Sequence, residues 1–356
     1  MQSPKLTREH VDERWLTDVL RAGGAIRDAR VTGFAAQEVG AGMLGESVRF
    51  ELSYDSVEGG APASVVGKFA SPDPVSRRTG MDYGLYQREV DFYREVAKTV
   101  AIRVPHCFFA EIDAESGAFA LVLEDLSPAR SGNQLAGCSV EDAERAMVQA
   151  AALHGPRWND PEIAGRHGVV GSENASALIE TMPACLAEFH RRYDDMLEPH
   201  YMDFCDRYVA ACGGFIARRY DRLSLVHLDF RLDNMLFDAG GGRYPLAVVD
   251  WQSVMAGPPS LDVAYFIGLC LPAELRRRHE RELLLRYLDE LKRYGVTDYD
   301  YDALYADYRV TLLQGVQTAI FASAGTKRTD RGDQMFLAMA RSGIDQAIDA
   351  DSLAAI

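Results

Sequence analysis

Leu225-Val-His-Leu-Asp-Phe-Arg-Leu-Asp-Asn-Met-Leu-Phe237, then a Gly-rich turn, then Leu246-Ala-Val-Val-Asp-Trp251, is the stretch that decides the fold of this 356-residue chain. Its kernel is H-x-D-x-x-x-x-N, formed by His227, Asp229 and Asn234. From the chain's own His, Asp and Asn content, chance supplies about 0.008 such matches. An apolar strand ending in an acid, Leu246 to Asp250, follows the turn. Upstream come a G-x-G-x-x-G loop at Gly40, Gly42 and Gly45, a strand-borne Lys68, and a helix bearing Glu89, in that order. The loop opens Val48-Arg-Phe-Glu-Leu-Ser-Tyr54, a strand-like segment, whereas a dinucleotide-binding fingerprint must open a helix. There is no Walker A sequence either.

The segments around this island fall into two regions. Thr7 reads as the N-cap of a helix to about Arg21, ended by Gly23-Gly24. Val31 to Val39, Ser47 to Tyr54 and Ser64 to Phe69 predict strands, and Pro72, Pro74 and Gly80 predict a loop. A helix from Tyr83 to Thr99 and strands at Cys107 to Ile112 and Phe119 to Glu124 complete the first region. The polar, Gly/Ser/Pro-containing stretch Leu126 to Gly137 predicts a junction, dividing the chain into 1–126 and 127–356. Beyond it the pattern is helical. Ser139 with Asp142 reads as a capping box with a short acid, opening a helix to His154. Further helices are expected within 174–196, 200–220, 260–270, 273–294, 301–323 and 331–349, interrupted only by the β-rich island Leu223 to Trp251.

Composition removes whole classes. Hydrophobic residues at 47% and charged residues at 26% are ordinary for a globular protein, which excludes disorder, collagen and coiled coil. The net charge of −15 argues against a nucleic-acid partner, because phosphate contacts need clustered Lys and Arg. That charge divides as −6 over residues 1–126 and −9 over the rest, so it marks no single anionic pocket. The six cysteines contain no C-x-x-C pair, against zinc and thioredoxin-like sites. The longest apolar run, Val263 to Pro272, is too short to span a bilayer, and the first ten residues lack a signal-peptide core. The expectation is a reduced cytoplasmic protein with no membrane partner.

Taken together, these phrases resemble the protein-kinase-like phosphotransferases, and among them the aminoglycoside phosphotransferase and choline/ecdysteroid-kinase-like small-molecule kinases. The resemblance rests on Val65-Val-Gly-Lys68, Gln87-Arg-Glu-Val-Asp-Phe-Tyr93, Leu121-Val-Leu-Glu-Asp-Leu126, the His227 to Asn234 motif, Asp250-Trp-Gln252 and Gly257-Pro-Pro-Ser-Leu-Asp-Val-Ala-Tyr-Phe266. It implies an α+β bilobal protein-kinase-like fold, with a small antiparallel β-sheet N-lobe and a larger, mainly helical C-lobe. It implies ATP and Mg²⁺ as cofactors and transfer of the γ-phosphate to a hydroxyl of a small molecule.

The same resemblance distributes roles. Phosphoryl transfer is mostly positioning and charge neutralisation. Asp229 accepts the acceptor's hydroxyl proton or orients that hydroxyl; the plain alternative is a turn aspartate. Asn234 and Asp250 hold Mg²⁺ through oxygen, as a hard cation requires. Lys68 meets the α/β-phosphates and Glu89 holds Lys68, with Glu95 on the same helix as the rival. Gly40, Gly42, Gly45 and Ser47 form a hairpin lid over the phosphates, or else a plain hairpin turn, and Glu46 puts an acid beside it. Glu124 and Leu126 present backbone groups to adenine. Arg231, where protein kinases carry a lysine, contacts the γ-phosphate or forms a salt bridge. His227 is read as a packing residue and Asp262 as a structural aspartate beneath the loop.

Departures narrow the activity. Leu228 replaces the arginine of the protein-kinase HRD motif, Trp-Gln follows Asp250 in place of Phe-Gly, and no A-P-E follows, so a protein substrate is disfavoured. Two clusters could face a cationic acceptor. Glu188, Asp194, Asp195, Glu198, Asp203 and Asp206 form one; Asp298-Tyr-Asp-Tyr-Asp302 with Tyr305, Asp307 and Tyr308 forms the other. A solvated helical face is the plainer reading of each. Aminoglycoside, choline-like, steroid, lipid and acyl-thioester acceptors all stay open. The rival from another class is a catalytically silent, pseudokinase-type nucleotide- or ligand-binding protein.

Overall fold

A computed structural model of the chain describes residues 6–40, 44–171 and 175–356. Gly42 of the Gly-rich loop lies outside the described residues. The chain forms two compact units: Met1–Thr99, Arg103–Ala129 and Asp238–Ser253 make the first, and Val100–Ile102, Arg130–Phe237 and Val254–Ile356 the second.

The first unit is built on five antiparallel strands: β1 (Val31–Glu38), β2 (Gly45–Tyr54), β3 (Ser64–Ala70), β4 (Cys107–Asp113) and β5 (Ala118–Glu124), in the order β1-β2-β3-β5-β4. Strand β3 alternates, with Val65, Gly67 and Phe69 buried on one face, so Lys68 faces the other way. Gly67 is required there, because a Cβ would sit 2.7 Å from the Phe50 ring. The core joins Phe50, Val65 and Phe69 to Leu16, Val19 and Leu20 of helix α1 (Glu13–Ala22).

Three local expectations need correction here. Thr7 does not cap α1; a separate 3-10 turn, Arg8–His10, follows it, and Asp12 caps α1 by accepting from Trp15 N–H at 2.7 Å. The stretch read as a loop from Pro72 to Gly80 contains helix α2 (Pro74–Asp82). Pro74 occupies the first turn, where its missing N–H costs nothing, and Asp73 caps it. The helix expected over 83–99 is helix α3 (Leu85–Asp91), a π-turn Phe92–Val96 and a 3-10 turn Ala97–Thr99.

The second unit is helical around Ser260–Cys270, every residue of which is buried. A helix apolar on all sides needs neighbours on all sides; here Tyr301–Thr311, Leu313–Gly325 and Asp330–Asp349 pack on it. Gly268 lets Gln346 approach, since a Cβ would fall 1.8 Å from its amide. The single helix expected over 301–323 breaks at Leu312. Ser139 caps Val140–His154 from Asp142 N–H, but the box is half made, because the Asp142 carboxylate goes to Arg130 at 2.8 Å. Short strand pairings flank the His227 to Asn234 motif: Ser224–Val226 pairs with Met255–Gly257, and Arg130–Ser131 with Leu236 and Phe237. All six cysteines are free. No helix among the described residues is long and apolar enough to cross a membrane.

Candidate active site

Within the first unit, β3, α3 and the segment after Val248 converge on one ammonium group. Lys68 Nζ lies 2.7 Å from Glu89 and 2.8 Å from Asp250 Oδ1. Glu89, not Glu95, is thus the partner on the helix, and it is only 1% exposed. Burial disfavours the Lys68 ammonium, but Asp250 and Glu89 outweigh it and hold its pKa above the ordinary value. Burial pushes the Glu89 carboxyl up against the pull of Lys68. Asp250 adopts φ +68°, a left-handed conformation costly for a non-glycine residue, and its Oδ2 accepts from Gln252 at 3.2 Å.

The Gly-rich hairpin borders this group. Val39 N–H donates to Ser47 O at 2.9 Å, and Ser47 lies opposite Lys68 in register. Gly40 has φ +80°, and a Cβ on Gly45 would come within 2.9 Å of Phe69 O. Glu46 is drawn to Arg8 at 3.4 Å, which also holds Glu38 at 2.6 Å. At the far end of β5, the Glu124 side chain accepts from Arg103 at 2.6 Å and from His106 N–H at 3.0 Å. Leu126 O accepts from Gly240 N–H at 2.8 Å.

Within the second unit the loop after Val226 brings Asp229, Arg231 and Asn234 together. Asp229 Oδ1 accepts from Arg231 Nε at 2.8 Å; Asn234 Nδ2 donates at 2.8 Å both to Asp229 Oδ2 and to Asp229 O. The Arg231 guanidinium continues to Asp233 at 2.7 Å. Burial opposes that charge, yet Asp229 and Asp233 hold its pKa above the ordinary value. Arg231 thus bridges Asp229 and Asp233, and with its side chain only 13% exposed this is not a surface pair. The loop stands on Asp262, which is fully buried and accepts from His227 N–H at 2.7 Å and Leu228 N–H at 2.9 Å. Leu228 adopts φ +64° to make that contact. His154 Nε2 completes the Asp262 shell at 3.1 Å.

Several participants escaped sequence reading. Asp233 sits inside the quoted motif, next to Asn234, at a position to which the motif assigns no role. Tyr265, whose hydroxyl lies 3.4 Å from Asp229 Oδ1, is part of the phrase quoted for its aspartate. Gln134, in the segment read as a junction, is buried; its backbone N–H donates to Asp233 at 3.0 Å and its amide reaches Leu269 O at 2.6 Å. Neither His154 nor Gln134 carries a local signal.

In the two clusters considered for a cationic acceptor, the chain's own side chains already engage several of the groups. Glu188 pairs with Arg191 and Arg192, His190 bridges Asp194 and Asp206, and Glu198 pairs with Arg341. Tyr301, Tyr305 and Tyr308 stack in series, Arg281 covers Tyr301 at 4.1 Å, and Tyr299 donates to Asp307 at 2.9 Å.

Among the described residues no group of three or more His, Cys, Asp or Glu could hold a metal ion. Mg²⁺ in nucleotide sites needs less, one or two protein oxygens beside the phosphates. Asp250 offers a carboxylate; Asn234 commits its amide nitrogen to Asp229, which leaves its oxygen for a ligand.

No curated protein matches the sequence. Among solved structures, a choline kinase from Cryptosporidium parvum Iowa II aligns with 96% of this chain and 98% of its own, at TM-score 0.60 and 8% identity. The GDP complex of wild-type aminoglycoside 2'-phosphotransferase-IIIa aligns over 94% and 100%, at TM-score 0.56 and 12% identity. A Plasmodium vivax ethanolamine kinase aligns over 99% and 94%, at TM-score 0.54 and 9% identity. These likenesses establish the protein-kinase-like fold. The family model that matches is the ecdysteroid kinase-like family, over residues 40–297. That span takes in the Gly-rich hairpin, Lys68, Glu89, the Asp229 loop and Asp250 and covers more than half of the chain, which therefore belongs to the ecdysteroid kinase-like family.

Proposed function

We propose that this protein transfers the γ-phosphate of ATP to a hydroxyl group of a small molecule. The observation that carries this reading is the Lys68 ammonium held between Glu89 and Asp250, whose numbers differ by 21 and 182 positions. A buried lysine stretched between two carboxylates from distant segments is a fixed positive charge, which is what the α/β-phosphates require. Gly40, Gly42, Gly45 and Ser47 are proposed as the lid over those phosphates. Glu124 and Leu126 are proposed to read adenine through their backbones.

Asp229 is the group proposed to receive or orient the acceptor hydroxyl. Its Oδ1 accepts from Arg231 and, at 3.4 Å, from the Tyr265 hydroxyl, its Oδ2 accepts from Asn234, and a carboxylate has about four lone-pair positions. Acceptor capacity therefore remains for the incoming O–H. Arg231 keeps the carboxylate oriented and, once an acceptor displaces part of that contact, can turn toward the γ-phosphate. Asn234 and Asp250 are proposed as the Mg²⁺ ligands; when bound, the ion neutralises charge on the β/γ-phosphates.

The test is turnover of Mg·ATP against a panel of hydroxylated amines, sterols, lipids and acyl thioesters, with phosphorylated product identified by mass. Transfer to a small-molecule hydroxyl that disappears in Asp229→Asn supports the reading. Nucleotide binding with no product for any acceptor would point to a silent binding protein instead.

A further inference from the structure

Tyr86 belongs to no motif and lies one turn before Glu89 on α3, on the same face of the helix. It is 1% exposed, and its hydroxyl donates to Leu44 O at 2.6 Å. Leu44 immediately precedes Gly45, where the Gly-rich hairpin enters β2. The Tyr86 ring has little freedom. It stacks on Phe119 with centroids 4.5 Å apart, and it fills the space over Gly80, where a Cβ would lie 2.4 Å from Tyr86 Cζ. One rigid helix therefore grips two things at once: Lys68 through Glu89, and the end of the hairpin through Tyr86.

We infer that Tyr86 is a positioning residue for nucleotide binding, fixing the Gly-rich hairpin relative to Lys68 by holding the Leu44 carbonyl. This inference rests on the proposed ATP site. Phenylalanine keeps the ring, its stack and its fit over Gly80, and removes the hydrogen bond to Leu44 O together with the hydroxyl's contact with the Ser71 backbone. A hairpin released in this way loses grip on the phosphates, whereas Lys68, Glu89 and Asp250 keep their places.

The experiment measures steady-state KM for ATP and the dissociation rate of a fluorescent ATP analogue for the wild type and Tyr86→Phe. The expected result is a rise of about 3- to 10-fold in both, the equivalent of one neutral hydrogen bond, with kcat falling by less than KM rises. Glu89→Gln should show the opposite split, with kcat falling most. A merely structural role would lower the unfolding temperature and leave the KM-against-kcat split untouched. If Tyr86→Phe folds poorly, Gly80→Ala decides, because its new methyl displaces the same ring and should produce the same split. Wild-type protein that binds the analogue, together with variants that bind it equally well, overturns the inference. Wild-type protein that fails to bind it overturns the proposed function instead.

Discussion

Phe92 and Trp251 lie face to face, their ring centroids 4.0 Å apart and their planes 4° from parallel. Phe92 opens the π-turn that follows α3, and Trp251 directly follows Asp250. Both rings are fully buried. The stack thus joins the segment that follows the Glu89 helix to the backbone that carries Asp250, which adopts φ +68°. π-Turns inside helices tend to occur at functional sites, where they re-aim a side chain. Trp251→Ala should cost about 3–5 kcal/mol in denaturant-induced unfolding, the range for deleting a buried aromatic. At temperatures where the variant is still folded, transfer should fall further than the unfolded fraction explains, because Asp250 loses its support. Unchanged activity in folded Trp251→Ala would separate the stack from the site.

Asp229→Asn tests the second cluster. The two Asp229 oxygens accept from Arg231 and Asn234 respectively. An asparagine must turn its NH₂ toward one of these donors, which sets donor against donor. The expected stability cost is about 1–3 kcal/mol, the price of one unsatisfied pairing. The expected loss of transfer is about 10²- to 10⁴-fold, the contribution of a positioned acid–base group. Thermal unfolding and single-turnover kinetics check the two separately.

Those residues also show how far the sequence could be read. Lys68, Asp229, Asn234 and Asp250 were legible because their chemistry fixes their spacing along short segments, and the strands of β1–β5 because alternation and turn residues agree. Glu89 over Glu95 is a matter of helix phase, which the π-turn disturbs after Asp91. Helix α2 was lost because two prolines and a glycine read as a loop. Pro74 is a helix starter there, and Gly80 is required by the Tyr86 ring rather than by a turn. Tyr86, Gln134 and His154 were out of reach for a different reason. Each meets its partner across 42, 135 or 108 positions, and no local pattern encodes such a meeting.

Arg8 offers a test of electrostatics at the hairpin. Its guanidinium holds Glu38 at 2.6 Å and Glu46 at 3.4 Å, so the acid beside the Gly-rich loop does not face the proposed nucleotide site uncompensated. Arg8→Glu removes the compensation and adds a third carboxylate. Affinity for ATP should fall about 3- to 10-fold at low salt, and the deficit should shrink toward 0.5 M NaCl as screening shortens to a few ångströms. Stability should change little, since the pairs are at the surface. Titration of a fluorescent nucleotide at two ionic strengths measures it; a deficit that ignores salt would exclude this origin.

His190 sets the pH dependence that belongs to the helical unit rather than to the chemistry. Its Nδ1 lies 2.7 Å from Asp194, four residues on and just past the end of the helix Ala175–Tyr193, and its Nε2 2.9 Å from Asp206 on the helix Pro199–Ala211. Partial burial works against the imidazolium, but the hydrogen bonds to Asp206 and Asp194 overcome it and raise the His190 pKa above its ordinary value. A raised folded pKa means that the folded state binds the proton more tightly. The stabilisation is then complete below the unfolded pKa of about 6.5 and is lost as pH climbs through the higher folded value. The bridge is at the surface, so its contribution should be less than about 1 kcal/mol. Wild-type protein should therefore lose that increment as pH rises above about 6.5, relative to His190→Gln, whose glutamine cannot take up the proton. Denaturant unfolding of both proteins at pH 5.5, 7 and 8.5 reads the difference directly. Parallel stability profiles for the two would show that the proton on His190 does not link the helices.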